Sequence, residues 1–125
     1  MTLDRGLSLR IEAQVGLQDL AQAAGSGDLP VLATPRLACL MENAAMRAVA
    51  PCLPAEQTTV GSEIYIQHLR PTAEGSVVSV EAVLTEVDGR RLTFNITAAE
   101  GDQVIGRATH VRYIVDRERF MAKLK

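Results

Sequence analysis

Thr34-Pro35-Arg36-Leu37-Ala38-Cys39-Leu40-Met41-Glu42-Asn43-Ala44-Ala45-Met46-Arg47-Ala48-Val49-Ala50-Pro51 is the stretch that decides the architecture of this chain. A hydroxyl residue followed by proline is a strong helix start. The Thr34 oxygen can cap the first turn, and Pro35 lacks an N–H that the first turn leaves unused. Pro51 stops the run. Mapped at about 100° per residue, the Leu, Met, Ala, Val and Cys side chains leave little polar surface. The spacing therefore predicts a helix over about 35–50, apolar nearly all round and enclosed by protein. Its alanines let a neighbouring element approach closely.

On both sides of this helix the hydrophobic period is two, not 3.6. Leu7 to Val15 alternates as a first strand and ends at Gly16. Leu17 to Ala24 has helical spacing, and Gly25-Ser26-Gly27-Asp28-Leu29-Pro30 follows with a loop composition. That loop is read either as a lid, flexible over about 17–33, or as a plain surface connection. After the helix, strands are expected over Thr59–Leu69, Gly75–Val87, Arg91–Ala99 and Gln103–Val115. Asp88-Gly89 and Glu100-Gly101-Asp102 supply turns, and Asp116 to Lys125 closes with a short helix docked by Phe120 and Leu124. Four long consecutive antiparallel strands facing one buried helix make an α+β fold, a curled sheet wrapped around the helix. Long strands leave edges, and a two-fold copy closes one, so a homodimer is expected.

Composition narrows the function. The chain has 125 residues, enough for one domain over 1–125, with 13 Lys+Arg against 15 Asp+Glu. A net charge of −2 excludes a nucleic-acid binder that works through a broad basic face. No apolar run is long enough to cross a bilayer, and the amino terminus shows no signal pattern, which predicts a cytoplasmic protein away from membranes. Cys39 and Cys52 form no C-x-x-C pair and read as small buried or half-buried side chains. No metal site and no cofactor are implied, because His68 and His110 lack ligand-spaced partners.

Three residues stand out on their own chemistry. Glu42 is a carboxylate in an apolar helix, which costs desolvation unless it is partnered. It is either functional, or solvated at a gap, or paired with Arg47 or Arg70. His68 continues the aliphatic face of its strand, with Val60, Ser62, Ile64 and Ile66; it is a rim residue or a proton carrier for neutral pH. Gly61, on the opposite face by alternation, marks a bulge or a close approach.

The stretches VLATPRLACLMENAAMRAVAPCLPAEQTTVGSEIYIQHL (Val31–Leu69) and EVDGRRLTFNITAAEGDQVIGRATHVR (Glu86–Arg112) cover about half the chain. In them the sequence resembles the hotdog-fold thioesterases, more narrowly the fluoroacetyl-CoA thioesterase-like family. The resemblance implies a homodimeric hotdog fold that hydrolyses a small acyl-CoA thioester to free acid and CoA. It implies a catalytic set of Thr34, Glu42 and His68, in which Glu42 is held by His68 and activates water or attacks the carbonyl. Thr34 is then a hydrogen-bond donor or an acyl acceptor, beside its reading as a helix cap. Gly61 and Arg112 match substrate-binding positions, and His110 lies in the same matching segment. One departure is plain: Ala23–Ala33 reads AAGSGDLPVLA, without the aromatic side chains that fluoroacetyl-specific members place over the pocket.

Two tensions accompany this reading. Eight residues of straight helix rise roughly 12 Å and turn about 80°. So either the first turn is irregular at Pro35, or Thr34 and Glu42 flank the substrate from opposite ends, or Thr34 works in the neighbouring subunit's site; a site at or near a dimer interface is preferred. Arg70, Arg90, Arg91 and Arg107 are all candidates for the CoA phosphates, and none is singled out. The alternative function is a non-catalytic acyl-CoA-binding module on the same fold.

Overall fold

The computed structural model describes residues 2–124. In chain order they form β1 (Ser8–Gln14), a 3-10 turn (Leu17–Asp19), α1 (Ala21–Ala24), α2 (Thr34–Val49), and a second 3-10 turn (Ala50–Cys52). Then follow β2 (Gln57–His68), β3 (Val77–Asp88), β4 (Arg91–Glu100), β5 (Gln103–Asp116) and α3 (Arg117–Ala122). The five strands make one antiparallel sheet in the order β1-β3-β4-β5-β2. The expected strands are present. The segment Leu17–Ala24 is not one helix, because Leu20 leaves helical geometry (ψ 149°) and bridges to Leu32 instead.

Leu37, Met41, Ala44, Ala45 and Val49 of α2 are wholly buried against Val78, Val80, Leu84, Leu92, Phe94 and Ile96 of the sheet. Each large aliphatic side chain so buried contributes about 1.5–3 kcal/mol, and together they fix the helix to the concave face. The other side of α2 is uncovered: Cys39, Asn43 and Arg47 are exposed, with Leu40 and Met46 half-buried. The expectations of an enclosed helix and of a buried Cys39 are therefore corrected. One sheet covers one face of a helix, and small side chains tolerate either environment. Similarly, Leu124 is 70% exposed and does not dock. Lys125, the last residue of the expected terminal helix, lies outside the described residues. No helix among the described residues is long and apolar enough to cross a membrane.

A local irregularity in β2 sets which of its side chains face inward. Gly61 pairs with Arg112 and Glu63 with Val111, so Ser62 is an extra residue, its hydroxyl donating to Val111 O at 3.3 Å. A bulge re-aims the chain on either side of it. Beyond it, Ile64, Ile66 and His68 turn inward as alternation predicts; before it, parity reverses, and Thr59 is buried.

Candidate active site

Thr34 does not cap α2. The N-cap is Ala33, in extended geometry (φ −73°, ψ 139°), with Pro35 just inside the helix and no side-chain cap bond. The Thr34 hydroxyl is thereby released, and Oγ1 lies 2.8 Å from Nδ1 of His68, the last residue of β2. Burial lowers the His68 pKa below 6.5, outweighing a main-chain contact with Arg70 that acts the other way. The ring is thus neutral near pH 7, where Nδ1 can accept the Thr34 proton. Its Nε2 is buried and has no hydrogen-bond partner among the described residues. The pair lines a cleft of about 290 Å³ with Ala21, Val31 and Leu69.

A second constellation surrounds Glu42, two turns along α2. Arg112 Nη1 donates to Glu42 Oε2 at 3.4 Å. The guanidinium is 6% exposed and held on its other side by Thr59, with Nε donating to Oγ1 at 2.8 Å and Nη2 to the carbonyl at 2.9 Å. Its third contact, Nη1 to His110 Nε2 at 3.2 Å, fixes the state of that imidazole. An arginine only donates, so Nε2 must be the acceptor; Nδ1 carries the proton and donates to Glu63 O at 2.7 Å. His110 is a buried, neutral histidine. Its pKa is lowered first by desolvation and further by Arg112, with the Glu63 main chain and Glu42 opposing. Burial also pulls the Arg112 pKa down, and Glu42 counters this. Gly61 completes the group, because the bulge brings it inward beside the carboxylate. A Cβ there would overlap Glu42 Oε2 and stand 3.2 Å from both Arg112 Nη1 and His110 Cε1.

The sequence-derived residues thus fall into two sets. Thr34 meets His68; Glu42 meets Arg112 and Gly61. Within one chain Glu42 is not held by His68 and not sequestered: its side chain is 42% exposed. Gly61 and His68 stand seven residues apart on β2, roughly 20 Å of strand. The helical rise from Thr34 to Glu42 runs along the same direction, so neither element brings the sets together. Arg47 donates weakly to Asn43 at 3.5 Å and does not reach Glu42. Two contributors are absent from the sequence-derived set. Thr59 is hidden by the bulge, which inverts its parity; His110 is legible in the sequence only as a neighbour of Arg112 on the same strand face.

Residues 15–118 match the family described as fluoroacetyl-CoA-specific thioesterase. The chain belongs to that family. A fluoroacetyl-CoA thioesterase of Streptantibioticus cattleyicolor is 39% identical over 95 residues, covering 76% of this chain and 68% of the relative. A solved structure of a fluoroacetyl-CoA thioesterase superposes with a TM-score of 0.93 at 31% identity, covering 99% of this chain and 96% of that one. A Thermus thermophilus thioesterase superfamily member superposes at 0.89 with 23% identity, covering 97% and 90%, which speaks to the hotdog fold alone. Membership in the fluoroacetyl-CoA-specific thioesterase family gives the chain the class of a thioester hydrolase with a hotdog fold. The Gly-rich segment before α2 carries Ser26, Asp28 and Leu29 and no aromatic ring.

Proposed function

We propose that this chain hydrolyses the CoA thioester of a small acyl group, in the cytoplasm, at a site shared between two copies of a single-domain chain. The observation that carries the proposal is the Thr34–His68 contact at 2.8 Å, with an imidazole kept neutral by burial. In this reading His68 Nδ1 takes the Thr34 proton as Oγ1 adds to the thioester carbonyl. The C–S bond breaks, the imidazolium returns the proton to the departing CoA thiolate, and water then hydrolyses the acyl-threonine with His68 again as base.

Glu42 belongs to the same site through the second copy. β2 is an edge strand, and its midpoint lies between the two residue sets. Antiparallel pairing of two β2 edges about a two-fold near Ile64 lays the Gly61 end of one against the His68 end of the other. Glu42 and Arg112 then face the partner's Thr34–His68 pair, where the carboxylate can orient water or the imidazole and Gly61 leaves room for the acyl chain. The segment 17–33 lies over the Thr34 cleft as the lid; with no aromatic side chain there, no ring selects fluorine, and a broader set of small acyl groups is accepted.

The experiment is thiol release from a panel of short acyl-CoAs by the wild type, Thr34→Ala, His68→Ala and Glu42→Gln, with mass spectrometry of the quenched enzyme. Losses of about 10²–10⁴-fold are expected for the histidine variant, and an acyl adduct on Thr34 in the wild type. In kcat/KM the acid limb should follow a pKa below 6.5, rising as His68 loses its proton and flat above. Tight CoA binding with no release from any thioester would leave the binding module instead. Hydrolysis that survives both Thr34→Ala and His68→Ala would remove the proposed site.

A further inference from the structure

The four arginines that the sequence could not separate are separated by the fold. Arg90 and Arg91 sit at the β3–β4 turn and are engaged: Arg90 lies 3.8 Å from Asp116 and Arg91 3.8 Å from Glu86. Arg70 and Arg107 lie at the other end of the sheet, and neither has a carboxylate within ion-pair distance among the described residues. Arg70 follows β2 two residues after His68. The N–H groups of Leu69 and Arg70 both donate to Ile105 O, at 2.7 and 3.2 Å, which pins this turn to β5. Arg107 stands opposite Gln67 on the outward, exposed face of β5.

Both arginines line an open cleft of about 700 Å³ with Leu69, Pro71, Asp102 and Gln103. Leu69, Arg70 and Pro71 also wall the cleft that holds Thr34 and His68, so the two clefts adjoin along that wall. We infer that Arg70 and Arg107 bind the phosphates of the CoA portion of the substrate, its pantetheine arm crossing the Leu69–Pro71 wall to reach Thr34 and His68. The inference rests on the thioesterase reading above and adds where the leaving group is held. Three physical points support it. Guanidinium groups match phosphate oxygens in fork geometry and are weakly hydrated, so unpaired neighbours suit a polyphosphate better than bulk water does. Leu69, 49% exposed, offers an apolar contact for the arm. The long arm also separates the thioester from the phosphates, so their subsite belongs beside the reacting cleft and not inside it. Asp102 is the one carboxylate lining the cleft; it lies beyond pairing distance of both arginines and leaves them their charge.

The test compares two substrates with one acyl group, the acyl-CoA and the acyl-N-acetylcysteamine thioester, which carries no phosphate. In Arg70→Ala/Arg107→Ala the ratio of kcat/KM for the CoA substrate to that for the short thioester should fall about tenfold or more, mainly through KM. The double lysine variant should recover part of it. Added salt should lower the same ratio in the wild type and much less in the double alanine variant. Calorimetry with free CoA supplies a readout independent of turnover, with affinity expected to fall by a similar factor. An unchanged ratio with unchanged CoA affinity overturns the subsite, whatever the activity. A wild type that hydrolyses neither substrate, yet binds CoA in an arginine-dependent way, keeps the subsite and overturns the thioesterase reading.

Discussion

At the scale of single residues, Gly61 shows how one missing side chain serves the site. Its neighbours are the tip of Glu42 and, at 3.2 Å, Arg112 Nη1 and His110 Cε1. In Gly61→Ala the added methyl must displace the Glu42 carboxylate, because the arginine and histidine are buried and cannot yield. Glu42 is half-exposed and swings out at little cost, so stability should change by no more than about 1 kcal/mol in thermal unfolding. Activity should respond far more, since moving a catalytic or orienting group by an ångström costs on the order of 100-fold in kcat/KM. A variant that loses stability and keeps its turnover would place the glycine in folding alone. Thr34 makes the complementary point. Ser, Thr, Asp and Asn are preferred caps, and Thr34-Pro35 satisfies every local rule for one. The chain gives the capping position to Ala33 and leaves the hydroxyl for His68.

At the scale of elements, β5 sets the state of Arg112 and couples it to β2. His110 donates its Nδ1 proton to the Glu63 carbonyl and accepts a hydrogen bond from Arg112, so two strands and one cation depend on its neutrality. Its folded pKa lies below 6.5, so the unfolded chain binds the proton more readily. The stability from neutral His110 is therefore complete above about pH 6.5 and is lost as pH falls through the depressed folded value. Melting temperature should drop over that window in the wild type. In His110→Gln the drop should shrink, on a baseline about 1–3 kcal/mol less stable because a single amide group cannot span both the bond to Glu63 O and the bond from Arg112. An identical acid dependence in both proteins would assign the titration elsewhere. The same strands show what sequence could and could not supply. Period-two alternation locates all five strands and the inward set Ile64, Ile66 and His68. It misplaces Gly61 and Thr59, because one extra residue at Ser62 reverses parity; Gly61 signals a bulge or a close approach but does not say which, nor which residue is extra. The partner of Glu42 lies 70 residues away on the strand next to the edge. That pairing is set by sheet order, which alternation does not encode, so the residues alone offer Arg47 or Arg70, and the resemblance offers His68.

At the scale of the molecule, the two residue sets and the free β2 edge pose a single question: whether each site draws on one chain or two. In the proposed reaction the Thr34–His68 pair supplies nucleophile and base, and His68 Nε2 is buried with no hydrogen-bond partner among the described residues. The Glu42–Arg112 pair is a half-exposed carboxylate on a buried cation. Seven residues of β2, roughly 20 Å of strand, separate Gly61 from His68 within a chain, and the proposed pairing of two β2 edges would bring one chain's Glu42 to the other's Thr34. Complementation decides it. Thr34→Ala and Glu42→Gln chains, each inactive alone, are mixed in equal amounts and allowed to exchange subunits. If each site takes Thr34 from one chain and Glu42 from the other, every hybrid dimer has one site with both lesions and one with neither. With half the dimers hybrid, activity should return to roughly a quarter of the wild-type value. Sites built within single chains would leave one lesion in every site of every dimer, and the mixture would stay inactive. A substitution that blocks the edge, such as Tyr65→Pro in the middle of β2, should abolish the recovery together with the dimer seen by sedimentation, because proline removes a backbone donor and deforms the strand that the second copy must pair with.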